Sequence, residues 1–244
     1  MKIDLYLTPV PLSKATTAKK AVVVIDVLRS STSICAALAA GARGVIPTPG
    51  PGEAGEMWTK IGGDMAVLAG ERKGVKIENF QVGNSPAEFT AATVGDKFVI
   101  MTTTNGTGLF VKTHNANPVI SCGLTNVSVV ADRLAKENKD TIIACAGRDG
   151  HFSIEDTICG GMLIDLLMEK HKAQLIQNDA ASLALLLYRT NKGRIKQTIA
   201  EGEHGRFLAS IGFADDVAVA SATDSMPVLP VLKDGRLVLE TDQN

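Results

Sequence analysis

Six short runs rich in β-branched residues recur between residues 21 and 145, and nearly all are separated by longer stretches with helical spacing. That alternation constrains the fold more than any other feature of the chain. The candidate strands are Ala21–Ile25, Gly44–Pro47, Met65–Leu68, Lys97–Met101, Val119–Ser121 and Thr141–Cys145. Between and after them lie Ser31–Ala40, Glu53–Ile61, Pro86–Ala92, Gly106–Lys112 and Thr125–Asn138, which read as helices. Strands alternating with helices predict parallel β-α-β units with helices on both sheet faces. Val22–Ile25 and Ile142–Cys145 are continuously apolar, as strands buried on both sides must be. After Ser153 the pattern is helical through Glu155–Lys170, Asp179–Thr190 and Gly193–Ala200. A hairpin follows, Val228–Leu232 and Arg236–Glu240, turned by Lys233-Asp234-Gly235. The expected fold is a three-layer α/β/α arrangement with a mostly parallel sheet, a helical C-terminal part and a terminal hairpin. It is read as one domain over 1–244, with a subdivision near residue 150 as the alternative.

Composition narrows the partners. The chain has 244 residues, 45% of them hydrophobic, and 25 basic against 26 acidic side chains give a formal net charge of −1. A nucleic-acid binder needs a basic footprint to displace counterions, and none is present. Seven Phe, two Tyr and one Trp also offer little surface for stacking bases. The apolar runs are far shorter than the roughly 18 residues of a membrane span, and Met1–Leu5 carries no apolar signal region. Cys35, Cys122, Cys145 and Cys159 form no C-x-x-C pair, so they read as reduced, buried thiols in a cytoplasmic protein. Any anionic partner must then be met by cations gathered locally.

In an open parallel sheet, ligands bind beyond the carboxyl ends of the strands. Asp26-Val27-Leu28-Arg29-Ser30-Ser31-Thr32-Ser33 follows the first candidate strand, and Ala69-Gly70-Glu71-Arg72 follows the third. Thr102-Thr103-Thr104-Asn105-Gly106-Thr107 and Ala146-Gly147-Arg148-Asp149-Gly150 follow two others. Parallel strands would bring Arg29, Arg72 and Arg148 to one edge, near two helix N-termini. Arginine forks and unpaired helical N–H groups bind phosphate, sulfonate or carboxylate. Ser30 or Ser31 would cap a helix in any case.

Asp26 is the sharpest single residue. It ends a wholly apolar strand, where an unpaired carboxylate is costly to desolvate; a metal ion, or an ion pair with Arg29, would offset that cost. Ser153-Ile154-Glu155-Asp156 opens a helix, and acids in a first turn favour the helix dipole whatever else they do. A pair of acids beside an Arg-bearing loop is also how magnesium is held against a phosphate, and Glu71 has the same ambiguity. Gly50-Pro51-Gly52-Glu53-Ala54-Gly55 matches the dinucleotide fingerprint G-x-G-x-x-G. Pro51 supplies no N–H there, and Glu53 and Glu56 put negative charge where a pyrophosphate would sit, so the segment reads as an ordinary helix start. Cys145 and Arg148 are too close for a thiolate phosphatase loop. His114, His151, His171 and His204 show no metal-ligand spacing, although His151 lies in the Arg148 loop and His204 precedes Gly205-Arg206.

Taken in order, Val24-Ile25-Asp26-Val27-Leu28-Arg29, Gly70-Glu71-Arg72, Gly83-Asn84-Ser85-Pro86 with Glu88, and Thr102–Thr107 resemble the 2-phosphosulfolactate phosphatase family. Cys145-Ala146-Gly147-Arg148 with Phe152-Ser153-x-Glu155-Asp156-Thr157, and Asp224-Ser225-x-Pro227, are similar to it too. The resemblance runs from about Val22 to Pro230. It implies the family's α/β fold, a homo-oligomer, and a Mg²⁺-dependent phosphatase. The implied reaction converts (2R)-2-phospho-3-sulfolactate to 3-sulfolactate and phosphate, a step toward coenzyme M. Ser33 stands where the family often has Thr, which keeps a hydroxyl. Gly108 stands where it often has Arg, a departure that bears on the sulfonate rather than on the phosphate.

The expected roles follow. Asp26, with Glu155 or Asp156 and with Glu71 as a further candidate, holds Mg²⁺. Arg29, Arg148 and the N–H groups at Ser30, Ser31 and Thr32 neutralise phosphate oxygens, and Arg72 adds a third cation. Asn84, Ser85, Thr104 and Asn105 orient the substrate. The nucleophile is metal-activated water or Asp26 itself; the D-x-D-x-T pattern of aspartyl phosphatases is absent, since Leu28 stands at its second Asp. The alternatives are a phosphatase of another small phosphorylated hydroxy acid, an oxidoreductase using Gly50–Gly55, and a non-catalytic anion-binding module.

Overall fold

The computed structural model describes residues 1–113 and 115–240, so His114 lies outside the described residues. The chain opens with β1 (Lys2–Tyr6), α1 (Lys14–Thr17), β2 (Ala21–Ile25) and α2 (Ser30–Ala39). It continues through β3 (Gly44–Pro47), α3 (Pro51–Ile61), β4 (Ala66–Arg72), β5 (Val75–Lys76), α4 (Ala91–Val94) and β6 (Phe98–Thr102). Next come α5 (Gly106–Thr113), β7 (Val119–Cys122), α6 (Val127–Glu137) and β8 (Thr141–Cys145). The last part comprises α7 (Ile154–Glu169), β9 (Ile176–Gln177), α8 (Asp179–Asn191), α9 (Ile195–Glu201), α10 (Glu203–Ser210) and α11 (Ala214–Ala220), then β10 (Pro230–Lys233) and β11 (Arg236–Leu239). No helix is long and apolar enough to cross a membrane among the described residues.

All six expected strands form, β2, β3 and β8 with the bounds read from the sequence. The expected helix Pro86–Ala92 does not form as one piece. Pro86–Glu88 makes a single 3₁₀ turn, and a reciprocal Thr90–Thr93 capping box starts α4 afresh. The reason is local: the Thr90 hydroxyl accepts the Thr93 N–H at 3.3 Å, which sets a helix start where the pattern predicted a helix interior.

Every residue of β2 and of β8 is buried, and the two pair in parallel with Val23 opposite Ile143. The sheet order is β5-β4-β6-β3-β11-β10-β7-β2-β8-β1-β9. The hairpin is therefore terminal in sequence but central in the sheet. It joins a parallel block, β4-β6-β3, to another, β7-β2-β8-β1-β9. Leu237 on β11 lies antiparallel opposite Val45, and Val231 on β10 antiparallel opposite Ile120.

The layering is α/β/α. On one face of the larger block, Val23, Ile25 and Ile143 pack with Leu134, Ile158 and Leu163 from α6 and α7. On the opposite face, Val22, Val24 and Ile142 share a core with Val45, Val99 and Met101 of the smaller block. Ile34 and Leu38 of α2 and Leu109 and Phe110 of α5 fill that shared core, and α3 covers the outer face of the smaller block. Three antiparallel pairings separate the blocks, so on a flat sheet their carboxyl ends would point to opposite edges. They meet instead: the Ser30 hydroxyl after β2 is 3.0 Å from that of Thr103 after β6. Both blocks pack on α2 and α5, and that shared core brings the two ends together.

Leu237 is fully buried in the shared core. Leu237→Ala is expected to lower unfolding free energy by about 2–5 kcal/mol in denaturant titration; a loss below about 1 kcal/mol would contradict the hairpin's place at the join.

Candidate active site

Asp26 follows the last residue of β2 and is buried where the chain turns into α2. Its Oδ2 accepts the Ser30 hydroxyl at 2.8 Å and its Oδ1 accepts the Ser30 N–H at 3.3 Å. The Asp26 carbonyl takes the Ser31 N–H at 2.8 Å, and the Ser31 hydroxyl accepts the Asp26 N–H at 3.0 Å. The first N–H groups of α2 are thus spent on Asp26 rather than offered to an external anion. Gly106 permits the close approach of the next loop, since a Cβ there would lie 2.4 Å from Asp26 Oδ2. Burial outweighs the Ser30 hydrogen bonds and the nearby His204, and pushes the Asp26 carboxyl up to about 6.

Asp156, in the first turn of α7, reaches two strand ends at once. It accepts the Val27 N–H at 2.8 Å and the Gly147 N–H at 3.0 Å, tying the loop after β2 to the loop after β8. Burial, then the Glu155 and Asp26 carboxylates, hold its own carboxyl well above the usual range. Glu71 does the same work between β4 and β6: it accepts the Gly74 N–H at 2.8 Å, the Thr104 N–H at 2.7 Å and the Thr104 hydroxyl at 3.2 Å. Glu155 is buried and paired with His204 Nδ1 at 3.1 Å.

Arg29 is the largest surprise. Its guanidinium donates to Asp216 Oδ2 at 2.7 Å and to the Gly74 carbonyl at 2.7 Å, and lies 4.3 Å from the Phe213 ring centre. Ser85 donates its hydroxyl to the other Asp216 oxygen at 2.6 Å. The Arg29 charge expected to meet a phosphate is therefore matched inside the protein. Arg72 turns back along its strand end, donating to the Glu71 carbonyl at 2.7 Å and to the Thr102 hydroxyl at 3.0 Å. Thr32 donates to the Val27 carbonyl at 2.9 Å and Ser33 to the Asn84 carbonyl at 2.8 Å.

A cavity of about 290 Å³ opens over Asp26. Of the residues expected from sequence, Asp26, Arg29, Ser30, Glu71, Asn84, Thr104, Asn105 and Arg148 border it, whereas Ser31, Thr32, Arg72, Ser85, Glu155 and Asp156 stand behind that wall. Asn84 Oδ1 is buried with no hydrogen-bond partner among the described residues. Arg148 is the more available cation. Its guanidinium packs 4.5 Å from the Phe207 ring centre, and its acidic neighbours Glu203 and Asp149 are exposed and stand 3.4 and 3.8 Å away. Sequence reasoning missed His204, Lys73, Phe207 and Asp216. His204 had shown only as the neighbour of Gly205-Arg206, and Asp216 reads locally as an ordinary first-turn acid.

Magnesium fits this donor set in a limited way. No group of three or more His, Cys, Asp or Glu side chains is placed to hold a metal among the described residues. Mg²⁺ asks for less, one or two carboxylates with the remainder from water and phosphate. Asp26 suits it, being a carboxylate that borders the cavity and whose burial raises its proton affinity. Asp156 stands behind the cavity wall, and Glu71 accepts three hydrogen bonds where Asp26 accepts two, both from Ser30. The Gly50–Gly55 segment is a helix start with Pro51 as its first residue, and a Cβ on Gly50 would meet the Glu53 carboxylate at 2.8 Å. The acid thus lies over the helix end that a pyrophosphate would need.

The family model described as 2-phosphosulpholactate phosphatase matches residues 6–235. The whole chain is 38% identical to a protein of Carboxydothermus hydrogenoformans described as a probable 2-phosphosulfolactate phosphatase, and covers 99% of it. A relative from Caldanaerobacter subterraneus with the same description is 36% identical over the full length of both chains. One from Clostridium beijerinckii is 35% identical over 98% of this chain and 100% of its own.

The Asp26 shift has a definite sign. Between about pH 4 and pH 6 the folded chain keeps a proton that the unfolded chain releases, so stability falls as pH rises. The shift corresponds to about 3 kcal/mol, fully felt above pH 6 and absent below pH 4. In chelator-treated protein, Asp26→Asn is expected to remove that part of the decline in unfolding free energy. Parallel pH profiles for the two proteins would contradict the assignment.

Proposed function

Because the chain belongs to the 2-phosphosulfolactate phosphatase family, a family of phosphoric monoester hydrolases, we propose that it hydrolyses 2-phospho-3-sulfolactate to 3-sulfolactate and inorganic phosphate. The observation that carries this reading is Asp26: a buried carboxylate of raised proton affinity at the floor of a cavity walled by polar and cationic groups. The substrate bears phosphate, sulfonate and carboxylate on three carbons. It offers little apolar area, so recognition must be polar.

Asp26 would hold Mg²⁺; the bound ion would polarise a phosphate oxygen and acidify water. Asp26 keeps both oxygens on Ser30, which suits a residue that holds rather than attacks. Water is then the nucleophile. Its oxygen forms the new bond to phosphorus, and the bond to the C2 oxygen breaks with its electron pair leaving on sulfolactate. The two water protons finish on phosphate and on the new hydroxyl. Arg148 meets the charge on the transferring group, while Thr104, Asn105 and the Asn84 amide orient the ester. Catalysis of this kind rests mostly on positioning and fixed charge.

The route toward coenzyme M and a homo-oligomeric assembly belong to the same reading. One departure favours a related substrate. Gly108 lies in α5 with open space around it, so the Arg that the family often has there could be accommodated and is absent. The sulfonate must then be met by Arg148 or by Lys73 at the cavity wall. A phosphorylated hydroxy acid with only a carboxylate would need one cation fewer.

Phosphate release from 2-phosphosulfolactate is expected to require Mg²⁺, to stop on chelation and to return when Mg²⁺ is restored. Asp26→Asn should lower kcat by about 10²-fold or more with an unchanged circular dichroism spectrum. A folded, fully active variant would overturn the role given to Asp26, and turnover indifferent to chelator would overturn the metal.

A further inference from the structure

A second cavity, of about 270 Å³, lies on the far side of Arg148 and His204, and both residues border both spaces. Nothing in the hydrolysis of sulfolactate phosphate uses it. Its wall is formed by the loop after β8, the start of α7 and the junction of α9 with α10. Phe152 and Ile154 supply its apolar surface. Phe152 is 48% exposed, and among the described residues it is the one Phe, Tyr or Trp side chain that is exposed. What distinguishes the ring is its place, on the wall of a cavity that shares Arg148 and His204 with the space over Asp26.

Charge decides what this space would take. Asp149, Glu155 and Glu203 border it against Arg148 and two histidines, so a carboxylate or sulfonate is disfavoured there. An uncharged ring is not. A cavity of about 150 Å³ lined wholly by apolar side chains holds benzene; this one has the room, and Phe152 and Ile154 supply the apolar contact.

Resting on the phosphatase reading, we propose a second substrate class: phosphate monoesters of uncharged aromatic alcohols, with the phosphate over Asp26 and the ring in the chamber of Phe152 and Ile154. Arg148, at the boundary, stands beside the bond to be cleaved. The step is the same displacement. The water oxygen bonds to phosphorus, and the phosphorus–aryl oxygen bond breaks with its electron pair on the phenolate. One water proton ends on phosphate and the other on the phenol.

The test follows release of 4-nitrophenol and of phosphate from 4-nitrophenyl phosphate, beside phosphate release from 2-phosphosulfolactate, for wild type, Phe152→Ala and Phe152→Tyr. Wild type is expected to turn over the aryl ester. Phe152→Ala should raise its KM about tenfold, the factor for about 1.4 kcal/mol of lost contact, with kcat kept within about twofold. Phe152→Tyr should restore KM, and 2-phosphosulfolactate kinetics should not move in either variant. An enzyme active on 2-phosphosulfolactate but inert to the aryl ester overturns the inference and spares the proposed function. An unchanged KM in Phe152→Ala, or an equal fall on both substrates, overturns the chamber. Turnover of the aryl ester alone, with the Phe152 dependence, supports the chamber and contradicts the sulfolactate reading; inactivity on both overturns both.

Discussion

A carboxylate removed from water must be compensated, and around the strand ends this chain does so repeatedly. Asp156 is held by the N–H groups of Val27 and Gly147, and Glu71 by Gly74 and Thr104. Glu155 faces His204, and Asp216 sits between Arg29 and Ser85. Each of these acids joins segments distant in sequence, and together they fix the loops that make the cavity. Asp26 differs. Its carboxylate is bonded only within its own loop, to Ser30, and it borders the cavity; like that of Asp156, its burial is not offset by its hydrogen bonds. Burial first, and the Glu71 carboxylate in smaller part, raise the proton affinity of Asp26, which prepares it for a cation or a proton.

The hairpin has a comparable role at the scale of the fold. Without β10 and β11 the two parallel blocks would share helices but no continuous sheet. With them, the loops after β2, β4, β6 and β8 border one cavity. The common rule that ligands bind beyond strand carboxyl ends thus holds across a sheet whose halves run in opposite senses. It holds because the shared core of α2 and α5 brings those ends together.

Much of this was legible in the sequence because it depends on local pattern. The buried runs Ala21–Ile25 and Thr141–Cys145 are wholly apolar or nearly so, and the loops after them carry the polar residues of the site. β1 was missed because Lys2 and Asp4 break its apolar run; Ile3 and Leu5 reveal it only by alternation once β8 is beside them. The helices α10 and α11 were missed because Gly202, Gly205 and Gly212 punctuate the segment. Arg29 shows the deeper limit. Its place at a strand end was readable, but its partner Asp216 is 187 residues away, and no spacing rule reports such a pair. An arginine read as a phosphate ligand is in large part a fastening for α11 and the β4–β5 turn. Arg148, paired only with exposed acids, is left to do the electrostatic work at the cavity.

The account turns on Asp26 being an under-compensated carboxylate that borders the cavity, whereas Asp156, whose carboxyl is also raised, stands behind its wall. Its titration is directly observable by carbon-13 NMR of protein labelled at the aspartate side-chain carboxyl, assigned by the Asp26→Asn spectrum. In metal-free protein, an apparent pKa near 6 is predicted. On adding Mg²⁺ the resonance should shift and its titration move to lower pH. An ordinary aspartate value near 3.8, unaltered by Mg²⁺, would contradict the central claim.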